Sequence, residues 1–133
     1  MPTPEVAFAH RLSNIPLTVT GKVIKILPDD IGSTPHQRFI IETDRTHTIL
    51  IAHSLQRAYR VPVKIGDTVE IHGTYVWNKY GGLIHNTHHY GHECVGTYCE
   101  VHEDGYINFV GIHPNPHREA LDPDILQRKT SFN

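Results

Sequence analysis

Residues Leu17 to Leu27 carry the pattern that most restricts the fold. Leu17, Val19, Gly21, Val23, Lys25 and Leu27 alternate with Thr18, Thr20, Lys22, Ile24 and Ile26, and the apolar set changes sides near Val23-Ile24. Successive side chains of a strand point to opposite faces. A strand that changes faces midway therefore needs a bend or bulge, which lets it join two sheet edges.

The rest of the chain reads as short strands separated by turns. Pro28 to Pro35 is a turn-rich loop. His36 to Thr43 and Thr46 to Ala52, joined at Asp44-Arg45, form a hairpin. His53 to Tyr59 is helix-compatible and closes at Val61-Pro62, after which Gly66-Asp67 launches an alternating fourth strand toward Tyr75. Asn78 to Gly82 is a turn and Leu83 to His89 a fifth strand. Five short strands with an insert between the third and fourth predict an all-β fold, a small five-stranded OB-like barrel, with another small barrel or a sandwich as the alternative. Thr97–Val101 and Tyr106–Val110, hinged at Glu103-Asp104-Gly105, are expected as an added C-terminal hairpin. The expected organisation is an N-terminal arm (1–16) with a helical turn near Val6 to Leu12, a barrel (17–110), and an extended tail (111–133). The tail, with a helix from Asp124 to Lys129, is the expected clasp for a homo-oligomer.

A chain of 133 residues fits one domain. Its formal net charge of −2 argues against a uniformly basic polyanion binder. Two cysteines, Cys94 and Cys99, are too few for a disulfide scaffold. The first residues hold no apolar run of signal-peptide length, and no membrane span follows. The expectation is a cytoplasmic protein without membrane contact, with secretion left open by a leader removed beforehand.

The histidines are the chemical signature. The chain has 12 of them, and His85, His88, His89 and His92 crowd one stretch behind Gly81-Gly82 and Trp77. Imidazole titrates near neutrality and serves as acid, base or metal ligand. No Asp or Glu lies between Glu70 and Glu93.

Several phrases together resemble a bacterial family of small proteins known as domain of unknown function family 3465. They are Gly21-Lys22-Val23 through Leu27-Pro28-Asp29-Asp30, His36-Gln37-Arg38-Phe39, Ile51-Ala52-His53, and Val61 with Lys64-Ile65-Gly66-Asp67-Thr68-Val69. Trp77-Asn78, Gly81-Gly82-Leu83-Ile84-His85 and Thr87-His88-His89 complete the set, which spans roughly residues 20 to 92. The resemblance implies that His36, His53, His85, His88 and His89 belong to one pattern. Asn86 and Tyr90 stand where the family pattern carries tryptophan and aspartate.

On a regular strand His85, Thr87 and His89 share one face, with His88 on the other, and His85 and His89 lie roughly 13 Å apart. A shared site must then draw on several strands. Phosphodiester cleavage needs a base, an acid and cationic donors for the phosphoryl charge. His36, His53, His85, His88 and His89 can supply the first two, and Arg38, on the same strand face as His36, the last. Between Arg45 and Gly66 the chain carries Arg45, Arg57, Arg60 and Lys64 and no acidic residue. With Trp77 and Tyr80 these offer basic and aromatic groups to a nucleic-acid strand, DNA or RNA.

The expected function is a nucleic-acid phosphodiesterase, or nuclease. The alternatives are a non-catalytic single-stranded nucleic-acid-binding module and a histidine-rich metal-binding protein. The expected cofactor is none or a transition metal such as zinc, since a carboxylate-poor histidine set suits such ions. Packing is the competing role for Trp77, and holding the following loop the competing role for His53. For Cys94 and Cys99 free buried thiols are expected; the alternatives are a disulfide and a zinc set with His92 and His102, which has the ligand types but an unusual spacing.

Overall fold

The computed structural model describes residues 2–88, 93–95, 98–100 and 104–111. It is mostly strand with little helix. The helix α1 (Pro4–Ala9) is followed by β1 (Ile15–Leu27), β2 (His36–Glu42), β3 (Thr48–Ser54), β4 (Thr68–Val76) and β5 (Leu83–His85). Three short strands complete the set: β6 (Glu93–Val95), β7 (Tyr98–Glu100) and β8 (Tyr106–Phe109). No helix among the described residues is long and apolar enough to cross a membrane.

The bend in β1 closes the sheet. Its first part pairs antiparallel with β4, from Ile15 opposite Tyr75 to Lys22 opposite Thr68. Its second part pairs with β2, and the register shifts between Val23 and Lys25, where the apolar pattern changes sides. β2 and β3 form the expected hairpin, β5 runs parallel to β3, and β5 then pairs antiparallel with β4. The result is a ring of five strands, β1-β2-β3-β5-β4 and back to β1. Leu17, Val23, Phe39, Ile41, Ile51, Ile71, Tyr75 and Ile84 fill its interior and are fully buried.

Three expectations about the strands and the segment after β3 need correction. Residues 55–58 are turn rather than helix, because β3 runs on through His53 and Ser54. Both are held opposite Gln37 and His36 of β2. The fifth strand stops at His85 rather than His89, since Asn86 takes a left-handed φ of 55° that ends the ladder. Asparagine tolerates that conformation better than most side chains. Tyr106–Phe109 does not pair with the strand before it. It lies antiparallel along β4, from Val69 opposite Phe109 to His72 opposite Tyr106, while β7 pairs with β6. One edge of β4 is thus shared, by β8 at its start and β5 at its end.

The N-terminal segment packs on the ring. Thr3 caps α1 by accepting from the Val6 amide, and Pro4 occupies the first turn, where its missing N–H costs nothing. Ala7 is buried in the core. Phe8 stacks on Trp77 with ring centroids 6.1 Å apart, and its carbonyl accepts from the Trp77 indole at 3.0 Å. The Arg11 guanidinium sits 5.1 Å from the Trp77 ring centre. The helix spans Pro4–Ala9 rather than the expected stretch from Val6 to Leu12. The expected tail beyond Gly111 lies outside the described residues.

Candidate functional site

Strand parity divides the candidate histidines between the two sides of the ring. On β2, Gln37, Phe39 and Ile41 are buried while His36, Arg38, Ile40 and Glu42 are half-buried, so His36 and Arg38 face outward. His53 lies opposite Gln37 and is 0% exposed. It faces the interior, and the sequence grouping of His53 with His36 and Arg38 is divided by the pleat.

Within the ring, His53 holds two segments together. The carbonyl of Tyr59 can only accept, so His53 Nε2–H donates to it at 3.0 Å. In that neutral tautomer Nδ1 accepts from the Thr87 hydroxyl at 2.7 Å. The contact with Tyr59 ties down the loop after β3, the role weighed for His53 as a structural residue. Thr87 is buried as well, and its methyl rests over Gly73, where an added Cβ would meet Thr87 Cγ2 at 3.0 Å and Ile84 Cγ2 at 2.7 Å. His88 is also buried, and its carbonyl accepts from the Gly105 amide at 2.9 Å. His53 and Thr87 thus meet inside the ring, and the His88 backbone is joined to the residue before β8.

Outside, His36 has an acidic partner that the sequence reading treated as part of a turn. The Asp30 carboxylate accepts from the His36 backbone N–H at 2.5 Å and from its ring Nδ1 at 3.2 Å. Arg38 donates through Nε to the Pro28 carbonyl at 3.0 Å, and Arg60 pairs with Asp29. The signal was present in Leu27-Pro28-Asp29-Asp30, but a carboxylate in a loop shows no strand register from which a partner can be read. With Nδ1–H on Asp30, His36 has the tautomer whose Nε2 lone pair can accept a proton. The carboxylate orients the imidazole as the third member of a catalytic triad does.

The Asp30 carboxyl is held below its ordinary value of 3.8, chiefly by the His36 backbone amide, which outweighs the opposing cost of desolvation, with smaller help from the His36 imidazole and Arg38. A carboxyl depressed on folding contributes stability that is present above its ordinary value and lost as pH falls through the folded one. Asp30→Asn is therefore expected to flatten the acid limb of the stability curve. In urea titrations from about pH 6 down to about pH 2, the gap between wild type and variant should narrow steadily toward the acid end. A constant offset across the range would exclude the linkage.

His85 belongs to the outer face. It lies opposite Thr74 of β4, and Ile51 opposite Ile84 in the parallel β3–β5 ladder, carried one residue on, sets His85 beside Ala52. Ala52 in turn lies opposite Arg38. Arg38, Ala52 and His85 therefore form one outward row across three strands, with the small alanine between the two long side chains. Two strand spacings, about 10 Å, separate the ends of the row.

The other candidates are dispersed. Arg45 lies in the β2–β3 turn, at the end of the hairpin away from Arg57 and Arg60, while Lys64 belongs to the turn bonded to Val23 of β1. The Arg57 amide donates to Ser54 Oγ at 3.2 Å and the Lys64 amide to Asp67 at 2.8 Å, so both backbones brace turns. Trp77 is packed against α1, as its structural role required. Tyr80 is 78% exposed, with the Lys79 ammonium 5.2 Å from its ring centre. His89 and the side chains of the His92, Cys94, Cys99 and His102 set lie outside the described residues. Among the described residues no three of His, Cys, Asp and Glu gather as a metal site.

No curated protein matches the chain. A family model matches residues 3–113, a wider span than the phrases between about residues 20 and 92, and one that takes in α1 and β8. The chain belongs to the family described as Protein of unknown function (DUF3465).

Proposed function

We propose that the ring is an OB-like barrel and that its outer β2–β3–β5 face hydrolyses phosphodiester bonds in a nucleic acid. The observation carrying this reading is the His36–Asp30 pair with Arg38 two residues along the same strand face. His36 Nε2 takes a proton from water, and the water oxygen attacks phosphorus. Arg38, on exchanging the Pro28 carbonyl for a phosphoryl oxygen, stabilises the added charge. As the P–O bond to the leaving group breaks, His85 delivers a proton to the departing oxygen. His53 and His88 support the face from within, and Arg60 borders it beside Asp29.

A second reading has its own observation. Tyr80 and Lys79 present an exposed aromatic ring beside a cation, the pair that single-stranded nucleic acid uses for stacking and charge contact. In a non-catalytic binding module they would do the main work.

Purified protein incubated with plasmid and single-stranded DNA and RNA, with and without EDTA, separates the two. Cleavage is expected, with His36→Ala lowering the rate about 100-fold or more and Arg38→Ala by a similar factor. Urea midpoints should stay near wild type for both. Salt-sensitive binding without cleavage in any condition would replace the enzyme with the binding module. Metal analysis of the untagged protein addresses the zinc alternative directly.

A further inference from the structure

Cys94 and Cys99 occupy opposite positions in the β6–β7 ladder, between the pairs Glu93–Glu100 and Val95–Tyr98. Only Gly96 and Thr97 connect the two strands in the chain. In an antiparallel hairpin with a two-residue connection the closing pair exchanges both backbone hydrogen bonds. The next pair out is then of the non-hydrogen-bonded kind, with Cα atoms about 4.5 Å apart. Disulfides span Cα separations of about 4.4 to 6.8 Å. The backbone register thus satisfies the first requirement for a bridge.

We propose that Cys94 and Cys99 form a reversible cross-strand disulfide, a redox site separate from the histidine face, exchanging with small disulfides such as oxidised glutathione. The first cysteine thiolate attacks a sulfur of oxidised glutathione and releases one glutathione thiolate. The second attacks the cysteine sulfur of that mixed disulfide and releases the other. Two protein thiols are oxidised, one glutathione disulfide is reduced to two thiols, and the cysteine protons pass to solvent.

The hairpin has reason to depend on the bridge. Strands of three residues in a two-stranded sheet are marginal by themselves. Glu93 and Glu100 add like charges at opposite register positions, which weakens the pairing further. A bridge offsets both. It also closes a short loop, so it constrains the unfolded chain less than a long-range disulfide would, which suits a reversible link over a permanent staple. The Gly105 amide bonds to the His88 carbonyl at 2.9 Å, next in sequence to the Thr87 that bonds His53.

The test uses the full chain in glutathione buffers of graded redox ratio, acid-quenched, alkylated and read by mass spectrometry. Both cysteines fall in one tryptic peptide, since no Lys or Arg lies between Lys79 and Arg118. The expected product is a monomer with an intrapeptide bridge that disappears on reduction. Cys94→Ser and Cys99→Ser should each accumulate the single glutathione adduct instead. The bridge should also form in the folded chain at a glutathione disulfide to squared thiol ratio at least tenfold lower than in the same chain in urea. Equal ratios in both states, two separate glutathione adducts, persistent dithiol or cross-linked dimers would each overturn the proposal.

Discussion

Replacing Gly82 with alanine is expected to lower folding stability by about 4 kcal/mol, combining left-handed backbone strain with overpacking of a closed core. Gly82 has a φ of +103°, and an added Cβ would fall on the Tyr75 ring, at Oη, Cζ and Cε1. Tyr75 is fully buried, and its hydroxyl donates to the Gly81 carbonyl at 2.9 Å, so the ring has nowhere to go. Removing only the hydroxyl in a Tyr75→Phe background should give no rescue, because Cζ and Cε1 remain. Gly66 is the control: its φ is +99° with nothing within 4 Å of an added Cβ. Gly66→Ala should therefore cost only the strain, about 1–2 kcal/mol. The measurement is the urea midpoint at constant m-value. Equal losses at the two glycines would show that the Tyr75 contact contributes nothing.

That contact also explains the glycine pair in front of the histidines. Gly81 carries φ +121°, and its added Cβ would strike the Thr48 carbonyl, while its own carbonyl accepts from His47 at 2.8 Å. The pair lets β5 enter between β3 and β4, where the ring closes. From the sequence it was recognisable as a turn. Closure itself was legible because the face switch at Val23-Ile24 has an unambiguous geometric meaning, and the register break falls there.

The site was less legible, for two physical reasons. Period-2 alternation assigns side chains to faces only while the strand lasts, and Asn86 ends β5 one residue after His85. Beyond that point the assignment of Thr87 to the face of His85 no longer holds, and Thr87 turns up bonded to interior His53. Second, a carboxylate delivered by a loop leaves no periodic trace. The histidine set looked free of acids because Asp30 comes from another segment, six residues before His36. Alternation along β2 did place His36 and Arg38 correctly together.

His53→Ala and His36→Ala should differ in kind, and the difference decides what the family's histidine pattern is for. At His53 the substitution removes a fully buried side chain and leaves both the Thr87 hydroxyl and the Tyr59 carbonyl without their partner. Cavity formation and unsatisfied polar groups together predict a loss of about 4 kcal/mol. His53→Gln, whose single amide offers an N–H donor for the Tyr59 carbonyl, should recover part of it. At His36 the ring is about one quarter exposed and its carboxylate partner more so. His36→Ala should cost no more than about 1 kcal/mol. Urea midpoints of the three variants, measured beside their cleavage rates, sort the histidines into two groups. If His36→Ala lost stability on the scale of His53→Ala, the outer pair would be a structural strut for the β1–β2 loop, and the catalytic reading of this face would have to be abandoned.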